Sequence, residues 1–229
     1  MKIVVIEGLD GAGKSTQIEL LTRYLEQKGI RSRYLHFPRT EAPFYGELIA
    51  RFLRGEFGTA AEVDPYLVAM LYAGDRHDAA SMLEQWTSDG YLVLLDRYTY
   101  SNIAYQCAKI NDPVQSEKLR KWILDLEFLH FGIPVPDINI FLDVPFSFTE
   151  NKLRGERDGN DRSYLNGTSD IHEADISFQM RVRDAYIGTA AADGRLTILN
   201  CSSPDGGMMT PQEIFALIVD LLYEKNLLE

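Results

Sequence analysis

Gly8-Leu9-Asp10-Gly11-Ala12-Gly13-Lys14-Ser15 satisfies the pattern G-x-x-x-x-G-K-[ST] at every position. Its neighbours supply the setting in which that pattern means phosphate binding. The apolar run over 3–6 reads as a buried strand, and Gln17, Ile18, Leu20, Leu21, Tyr24 and Leu25 fall at helical spacing. Gly8, Gly11 and Gly13 allow the chain to turn with its N–H groups inward, and the start of the following helix adds partial positive charge for an anion. In such a loop Lys14 contacts the β- and γ-phosphates of a nucleotide and Ser15 a Mg²⁺ ion. A glycine-rich turn that binds nothing is the competing reading, but at a glycine usage of about 7% a chance match of the whole pattern is rare.

Outward from this loop, the segments over 32–37, 91–95, 138–142 and 196–199 read as further strands, each bounded by turn residues or charges. Helical patterns fill the gaps, over 15–28, 44–54, 65–87, 100–109, 114–130, 146–154, 173–191 and 211–225. Strands alternating with helices predict an α/β fold, a five-stranded parallel sheet covered by helices on both faces. The 229 residues suffice to bury a full core, and without a Pro/Gly/Ser linker or a repeat the chain reads as one domain over 1–229. The net charge of −11 is spread without a basic stripe, so neither nucleic acid nor an anionic membrane is expected as a partner. Cys107 and Cys201 lie far apart and outside any C-x-x-C, which reads as two buried thiols and not as a disulfide or zinc ligands. Met1-Lys2 runs straight into the first strand and no apolar stretch approaches a membrane span, so the expected compartment is the cytoplasm.

Ligands of such sheets bind beyond the carboxyl ends of the strands, and the reactive residues fall there. The first strand leads into the phosphate loop, the second into Phe37-Pro38-Arg39, the third into Asp96-Arg97-Tyr98 and the fourth into Asp143-Val144-Pro145. Arg39, Asp96 and Arg97 are therefore expected to converge near Lys14. Asp96, ending a buried run, is placed to hold a metal-bound water or the metal itself, although a helix N-cap is the other reading of an Asp at such a junction. Arg39 and Arg97 can each grip phosphate oxygens with a forked contact, which suits an acceptor that itself carries a phosphate. Asn151-Lys152-Leu153-Arg154 fails the base-reading N-K-x-D pattern at its last position, which argues against a GTPase. The polar stretch Arg154-Gly155-Glu156-Arg157-Asp158-Gly159-Asn160-Asp161-Arg162 links two helical patterns. It reads either as a mobile lid whose arginines close over the transferring phosphates or as a solvated connection.

Taken together, these strings resemble those of the thymidylate kinases, nucleoside-monophosphate kinases of the P-loop class. The likeness runs nearly end to end, through Glu7-Gly8-Leu9-Asp10-Gly11-Ala12-Gly13-Lys14-Ser15-Thr16, Phe37-Pro38-Arg39, Tyr72-Ala73-Gly74-Asp75-Arg76, and Asp96-Arg97-Tyr98 on to Ser101-Asn102-Ile103-Ala104-Tyr105-Gln106. It continues through the arginine-rich stretch to Phe178 and Arg181-Val182-Arg183. The resemblance implies a P-loop kinase with a lid over about 154–172, ATP as donor, dTMP as acceptor, Mg²⁺ held by Ser15 and Asp96, and a homodimer. It implies an ATP site of Gly8 to Thr16 with Arg154 packed on the adenine, the loop over 203–205 bordering that base. Asp10, Lys14, Arg97 and Arg157 take the catalytic positions. Phe37, Pro38 and Arg39 belong to the acceptor site, where Asp10 and Arg97 also act. In the same site Tyr72 stacks on thymine, Arg76 donates to a pyrimidine carbonyl, Asn102 contacts N3, and Tyr105 crowds the sugar's 2′ carbon. Ser101 and Gln106 extend this network.

Gly11 stands where one branch of the family has an arginine, so the arginine that meets charge on the transferring group is expected from the lid, Arg157 first. The segment over 163–172 is longer than the usual connection after Asp161-Arg162, and its Asn166-Gly167 reads as a turn. Two other functions stay open at this point. A deoxynucleoside kinase would need a carboxylate base where this chain has Arg39, and a nucleotide-binding protein without turnover would have no need of the reactive residues. Tyr66, Leu67, Met70 and Leu71 make the helix over 65–87 too apolar for a free face, which fits either a dimer contact or a core-facing helix.

Overall fold

The computed structural model describes residues 2–149 and 176–228. Its strands are β1 (Lys2–Glu7), β2 (Ser32–His36), β3 (Leu92–Asp96), β4 (Ile138–Asp143) and β5 (Leu196–Asn200). They form one parallel sheet in the order β2-β3-β1-β4-β5. Around it lie α1 (Lys14–Gln27), α2 (Tyr45–Leu53), α3 (Pro65–Ser88), α4 (Thr99–Cys107), α5 (Pro113–Leu124), α6 (Ile176–Ala192) and α7 (Pro211–Glu224). Alternate strand positions point to opposite faces. Val4, Ile6, Leu92 and Leu94 pack with Leu21 and Leu25 of α1, Val182 and Tyr186 of α6, and Ile214, Ile218 and Leu222 of α7. Ile3, Val5, Val93 and Leu95 pack on the other face with Ala79, Ala80 and Leu83 of α3. Both faces of the central strands are thus covered, which explains why they read as continuous apolar runs.

Three helices begin at a polar residue followed by proline. The Asp64 side chain accepts from the backbone N–H groups of Tyr66 and Leu67, Asp112 accepts from that of Val114, and Thr210 forms a capping box with Glu213. Each cap satisfies N–H groups the helix itself cannot, and proline at the first helical position forfeits nothing there. The helix expected over 114–130 is corrected by the structure. α5 ends at Leu124 and continues as a π-helical segment, Asp125–His130, after which the Phe131 N–H donates to the Leu126 carbonyl at 2.8 Å. Cys107 and Cys201 are both buried. No helix among the described residues is long and apolar enough to cross a membrane.

Candidate active site

The loop between β1 and α1 ends at Gly13, whose φ of 86° lies in the left-handed region that favours glycine, and Lys14 is the first residue of the helix. The Lys14 ammonium is buried and donates to the carbonyls of Gly8 at 3.3 Å and Leu9 at 3.1 Å. Burial and the charge of Arg97 lower its pKa, against the pull of Asp96, Asp10 and Glu7. Ser15 and Thr16 are exposed on the first turn of α1.

Asp10, Arg97 and Tyr105 meet as a cluster. Arg97 Nη2 donates to Asp10 Oδ1 at 2.7 Å and to the Tyr105 hydroxyl at 3.2 Å, while Nη1 donates to Ser101 Oγ at 3.1 Å. The Tyr105 hydroxyl in turn donates to Asp10 Oδ2 at 2.7 Å, and Gln179 of α6 reaches the same oxygen at 3.3 Å. Burial and the Asp10 charge raise the Tyr105 pKa despite Arg97, so this hydroxyl stays a donor. Arg97 holds φ at 67°, a conformation that costs a residue other than glycine on the order of 1 kcal/mol and recurs where function fixes a side chain. The cluster therefore ties the phosphate loop, the end of β3, α4 and α6 to one guanidinium.

Beneath it lies Glu7, fully buried at the end of β1. Its Oε1 accepts from the backbone N–H groups of Tyr98 at 2.9 Å and Ser101 at 3.2 Å, and its Oε2 from the hydroxyls of Ser101 and Tyr186. Burial pushes its pKa up even against these donors. Because Tyr98, the cap residue of α4, makes no side-chain cap of its own, Glu7 supplies it from a different strand. The N-cap reading of Asp96 is thereby corrected. Asp96 instead lies 3.4 Å from His36 Nδ1, with Oδ1 buried and unpartnered among the described residues. Burial pushes its carboxyl up, but Lys14, His36 and Arg97 outweigh that and hold it ionised below its ordinary value.

The other predicted positions line α3 and its neighbours. A cis peptide joins Phe37 to Pro38. Among the described residues, the hydrogen bonds of the Arg39 side chain go to α3 and not to Asp96 or Arg97. The Arg39 backbone N–H and Nε donate to the two oxygens of the buried Asp75, both at 2.8 Å, and Nη2 donates to the Asp75 carbonyl and to Asp78. A Cβ on Gly46 would lie 2.1 Å from the Arg39 carbonyl oxygen, so α2 packs directly on this backbone. Tyr72, half-buried, packs beside Ile49, Phe52, Leu53 and Val68. Arg76 is buried against Glu127 in the π-helical segment, with Nε–Oε2 at 2.6 Å and Nη2–Oε1 at 2.7 Å. Asn102 donates to the same Glu127 at 2.9 Å, and Gln106 is buried on α4. Beyond Asp143, Arg183 of α6 makes a forked pair with that residue's two oxygens, at 2.6 and 2.8 Å. The loop over 203–205 forms a turn in which the Ser203 N–H donates to the Gly207 carbonyl at 2.8 Å and the Gly206 N–H to the Ser203 carbonyl at 2.9 Å. Arg154, Arg157 and Arg162, the segment over 163–172 and the end of the helix expected over 146–154 lie outside the described residues.

Glu7, Asp75, Glu127, Gln179 and Tyr186 were not among the expected site residues. A charge closing the apolar run before Gly8 marked Glu7, and its position between Gly74 and Arg76 marked Asp75. Glu127 and Gln179 sit in ordinary helical patterns with no local mark.

The family model described as thymidylate kinase matches residues 6–206. The thymidylate kinase of Mycobacterium tuberculosis is 33% identical over 192 residues, 82% of this chain and 86% of that protein. A probable thymidylate kinase of Thermococcus kodakarensis is 31% identical over 227 residues, 97% of this chain and 99% of its own length. The solved thymidylate kinase of Candida albicans shares the fold with a TM-score of 0.72 at 23% identity, covering 99% of this chain and 92% of that one. Likeness that begins at the end of β1, passes through the phosphate loop and runs beyond β5 makes this chain a member of the thymidylate kinase family.

Proposed function

We propose that the chain transfers the γ-phosphoryl group of ATP to dTMP. An oxygen of the dTMP phosphate forms a bond to Pγ, the bond from Pγ to the bridging oxygen breaks, and ADP leaves with that oxygen. The observation that carries this reading is the Asp10–Arg97 bond of 2.7 Å, which couples the donor's phosphate loop to an arginine at the end of β3. The attacking oxygen is already anionic, so the residues have to position and neutralise rather than remove a proton. Both oxygens of the buried Asp75 accept from Arg39 itself, and Asp78 pairs with the same guanidinium, so the carboxylates beside this strand end are held in ion pairs, which disfavours a base for a nucleoside hydroxyl.

In this reading the loop from Gly8 to Thr16 holds the donor phosphates, with Lys14 on the β- and γ-groups and Arg154 on the adenine. Arg39 and Arg97 hold the acceptor phosphate beside Phe37 and Pro38. Tyr72 stacks on thymine, Arg76 and Asn102 read its edge, Tyr105 disfavours a 2′-hydroxyl, and Ser101 and Gln106 complete the network. Arg157 arrives with the lid over about 154–172. Asp96 Oδ1, unpartnered among the described residues, and the exposed Ser15 hydroxyl fit Mg²⁺, an ion that binds through one or two protein oxygens, substrate phosphates and water. When bound, Mg²⁺ neutralises charge on the β- and γ-phosphates. The described residues include no cluster of three or more His, Cys, Asp or Glu that would build an all-protein site.

The single domain over 1–229 is supported by one sheet and by a main core drawn from β1 through α7. A homodimer is supported by Leu67 and Met70, both exposed on α3, and sedimentation measures it. Two buried free thiols suit a reducing cytoplasm. The test of function is an ATP-coupled assay across dTMP, dUMP, dCMP, AMP and thymidine. Turnover is expected with dTMP and not with thymidine, and thymidine turnover without dTMP turnover would reverse the reading.

A further inference from the structure

Glu127 is fully buried, and four donors converge on its carboxylate. They are Arg76 Nε at 2.6 Å and Nη2 at 2.7 Å, Thr99 Oγ1 at 2.8 Å, and Asn102 Nδ2 at 2.9 Å. The Asn102 amide nitrogen donates again, to the Ala69 carbonyl at 3.0 Å. Both neighbours of that nitrogen accept only, so the amide can face them in one orientation, with NH₂ toward Glu127 and Ala69. Its Oδ1 is then an acceptor by necessity. That oxygen is buried and has no partner among the described residues. On the other side, Glu127 engages Nε and one hydrogen of Nη2 of Arg76, so the two Nη1 hydrogens and the second Nη2 hydrogen are those left to a ligand.

We propose that Glu127 is a positioning residue that sets the donor and acceptor polarity of the base subsite, presenting a donor from Arg76 and an acceptor from Asn102. This rests on the reading of Arg76 and Asn102 as the residues that meet the pyrimidine edge. The pair matches a 4-keto pyrimidine, whose O4 accepts and whose N3–H donates. It opposes cytosine, whose N4 amino group donates and whose N3 accepts. The pair takes no account of the 5-methyl group, so the polarity device separates thymine and uracil from cytosine without separating thymine from uracil. An unpartnered buried acceptor awaiting an N–H is the reason the selectivity is strong. The wrong base leaves both that oxygen and its own polar atoms unsatisfied.

Glu127→Gln is close in size to the native side chain, but its amide nitrogen meets an Arg76 N–H in either orientation, Nε beside Thr99 or Nη2 beside Asn102, donor against donor. The Arg76 fork is displaced in both, and with the nitrogen on the Nη2 side Asn102 can turn its amide and become a donor. The experiment measures kcat/KM for dTMP, dUMP and dCMP with ATP, for the wild type and E127Q, with the same ratios taken from equilibrium binding if turnover is too slow. The expected result is a fall of about 10-fold or more in the dTMP:dCMP ratio, while the dTMP:dUMP ratio moves by less than about 2-fold. An unchanged dTMP:dCMP ratio, including one kept through a uniform loss on all three substrates, would overturn the proposal and leave Glu127 a structural residue. If E127Q does not fold, E127D keeps the charge but cannot reach Arg76 and Asn102 together. Its dTMP:dCMP ratio is expected between those two limits, and a wild-type ratio would overturn the proposal equally. Wild-type protein with no activity on dTMP would overturn the reading of the site itself, and the polarity device with it.

Discussion

Asp75→Asn removes one charge and almost no volume from the anchor of Arg39. The two Asp75 oxygens accept from the Arg39 backbone N–H and from Nε, each at 2.8 Å, in a site from which water is excluded. A hydrogen bond to a charged group contributes about 1.5–3 kcal/mol. In the variant one bond persists in weaker, neutral form, and the other becomes an NH₂ facing an N–H. The bond from Arg39 to the half-exposed Asp78 survives but contributes little. A loss of about 2–4 kcal/mol in folding stability follows, read from urea unfolding. If Arg39 holds the acceptor phosphate, its displacement lowers kcat/KM for dTMP by about 10- to 100-fold, equivalent to about 1.4–2.7 kcal/mol, while KM for ATP stays within about 2-fold. Folded D75N with wild-type kcat/KM for dTMP would refute the reasoning. Equal damage to ATP and dTMP would place Arg39 on the wrong phosphate.

Tyr105→Ala is expected to relax the preference for deoxyribose by about 10-fold, measured as the kcat/KM ratio of dTMP to its ribonucleotide counterpart, and an unchanged ratio would rule out crowding by this ring. Arg157→Ala is expected to lower kcat by about 100-fold or more with little change in ATP affinity. Arg162→Ala is the control, and if both variants stay fast the lid-arginine mechanism fails. A prediction on stability concerns Asp193, which accepts from the Tyr100 hydroxyl at 2.7 Å and from Arg195 at 2.8 Å. Burial pushes its carboxyl up, yet Arg195 and Tyr100 more than offset this and hold its pKa at about 2, below the unfolded 3.8. The contribution is present above the unfolded pKa and is lost as pH falls from about 4 toward about 2. Asp193→Asn is expected to flatten that part of the urea-midpoint profile by about 1–2 kcal/mol, discounted for the exposed Arg195, and an unaltered profile would contradict the assignment.

How much of this was readable in the chain depended on how local the cause was. All five strands fall within two residues of their expected positions; β1, β3 and β4, buried on both faces, announce themselves by composition alone, whereas the edge strands β2 and β5 alternate with exposed positions. Asp64-Pro65, Asp112-Pro113 and Thr210-Pro211 stand at the starts of α3, α5 and α7 for an equally local reason, a capping side chain followed by proline. The π-helical segment carried no such mark, since Asp125–His130 continues the apolar spacing of α5 and the change lies in its backbone bonds. Arg97, Asp10 and Tyr105 stand in strings that the sequence singles out, whereas the bonds that join them leave no mark there. Glu7 reaches Tyr186 across 179 positions and Gln179 reaches Asp10 across 169, distances over which a single sequence offers no pattern. Arg39 shows the same limit. Its residue type and strand-end position were legible, but its capture by Asp75 on α3 depends on the tertiary packing.

The central claim is a transfer between two bound phosphates, and following the phosphorus tests it most directly. The purified protein is mixed with ATP labelled at the γ-phosphate, dTMP and Mg²⁺, and the labelled products are separated. The account predicts label in the terminal phosphate of dTDP, one equivalent for each ADP formed, and none transferred when thymidine replaces dTMP. Label released as inorganic phosphate at the same rate with and without dTMP, or carried onto thymidine and not onto dTMP, would contradict it.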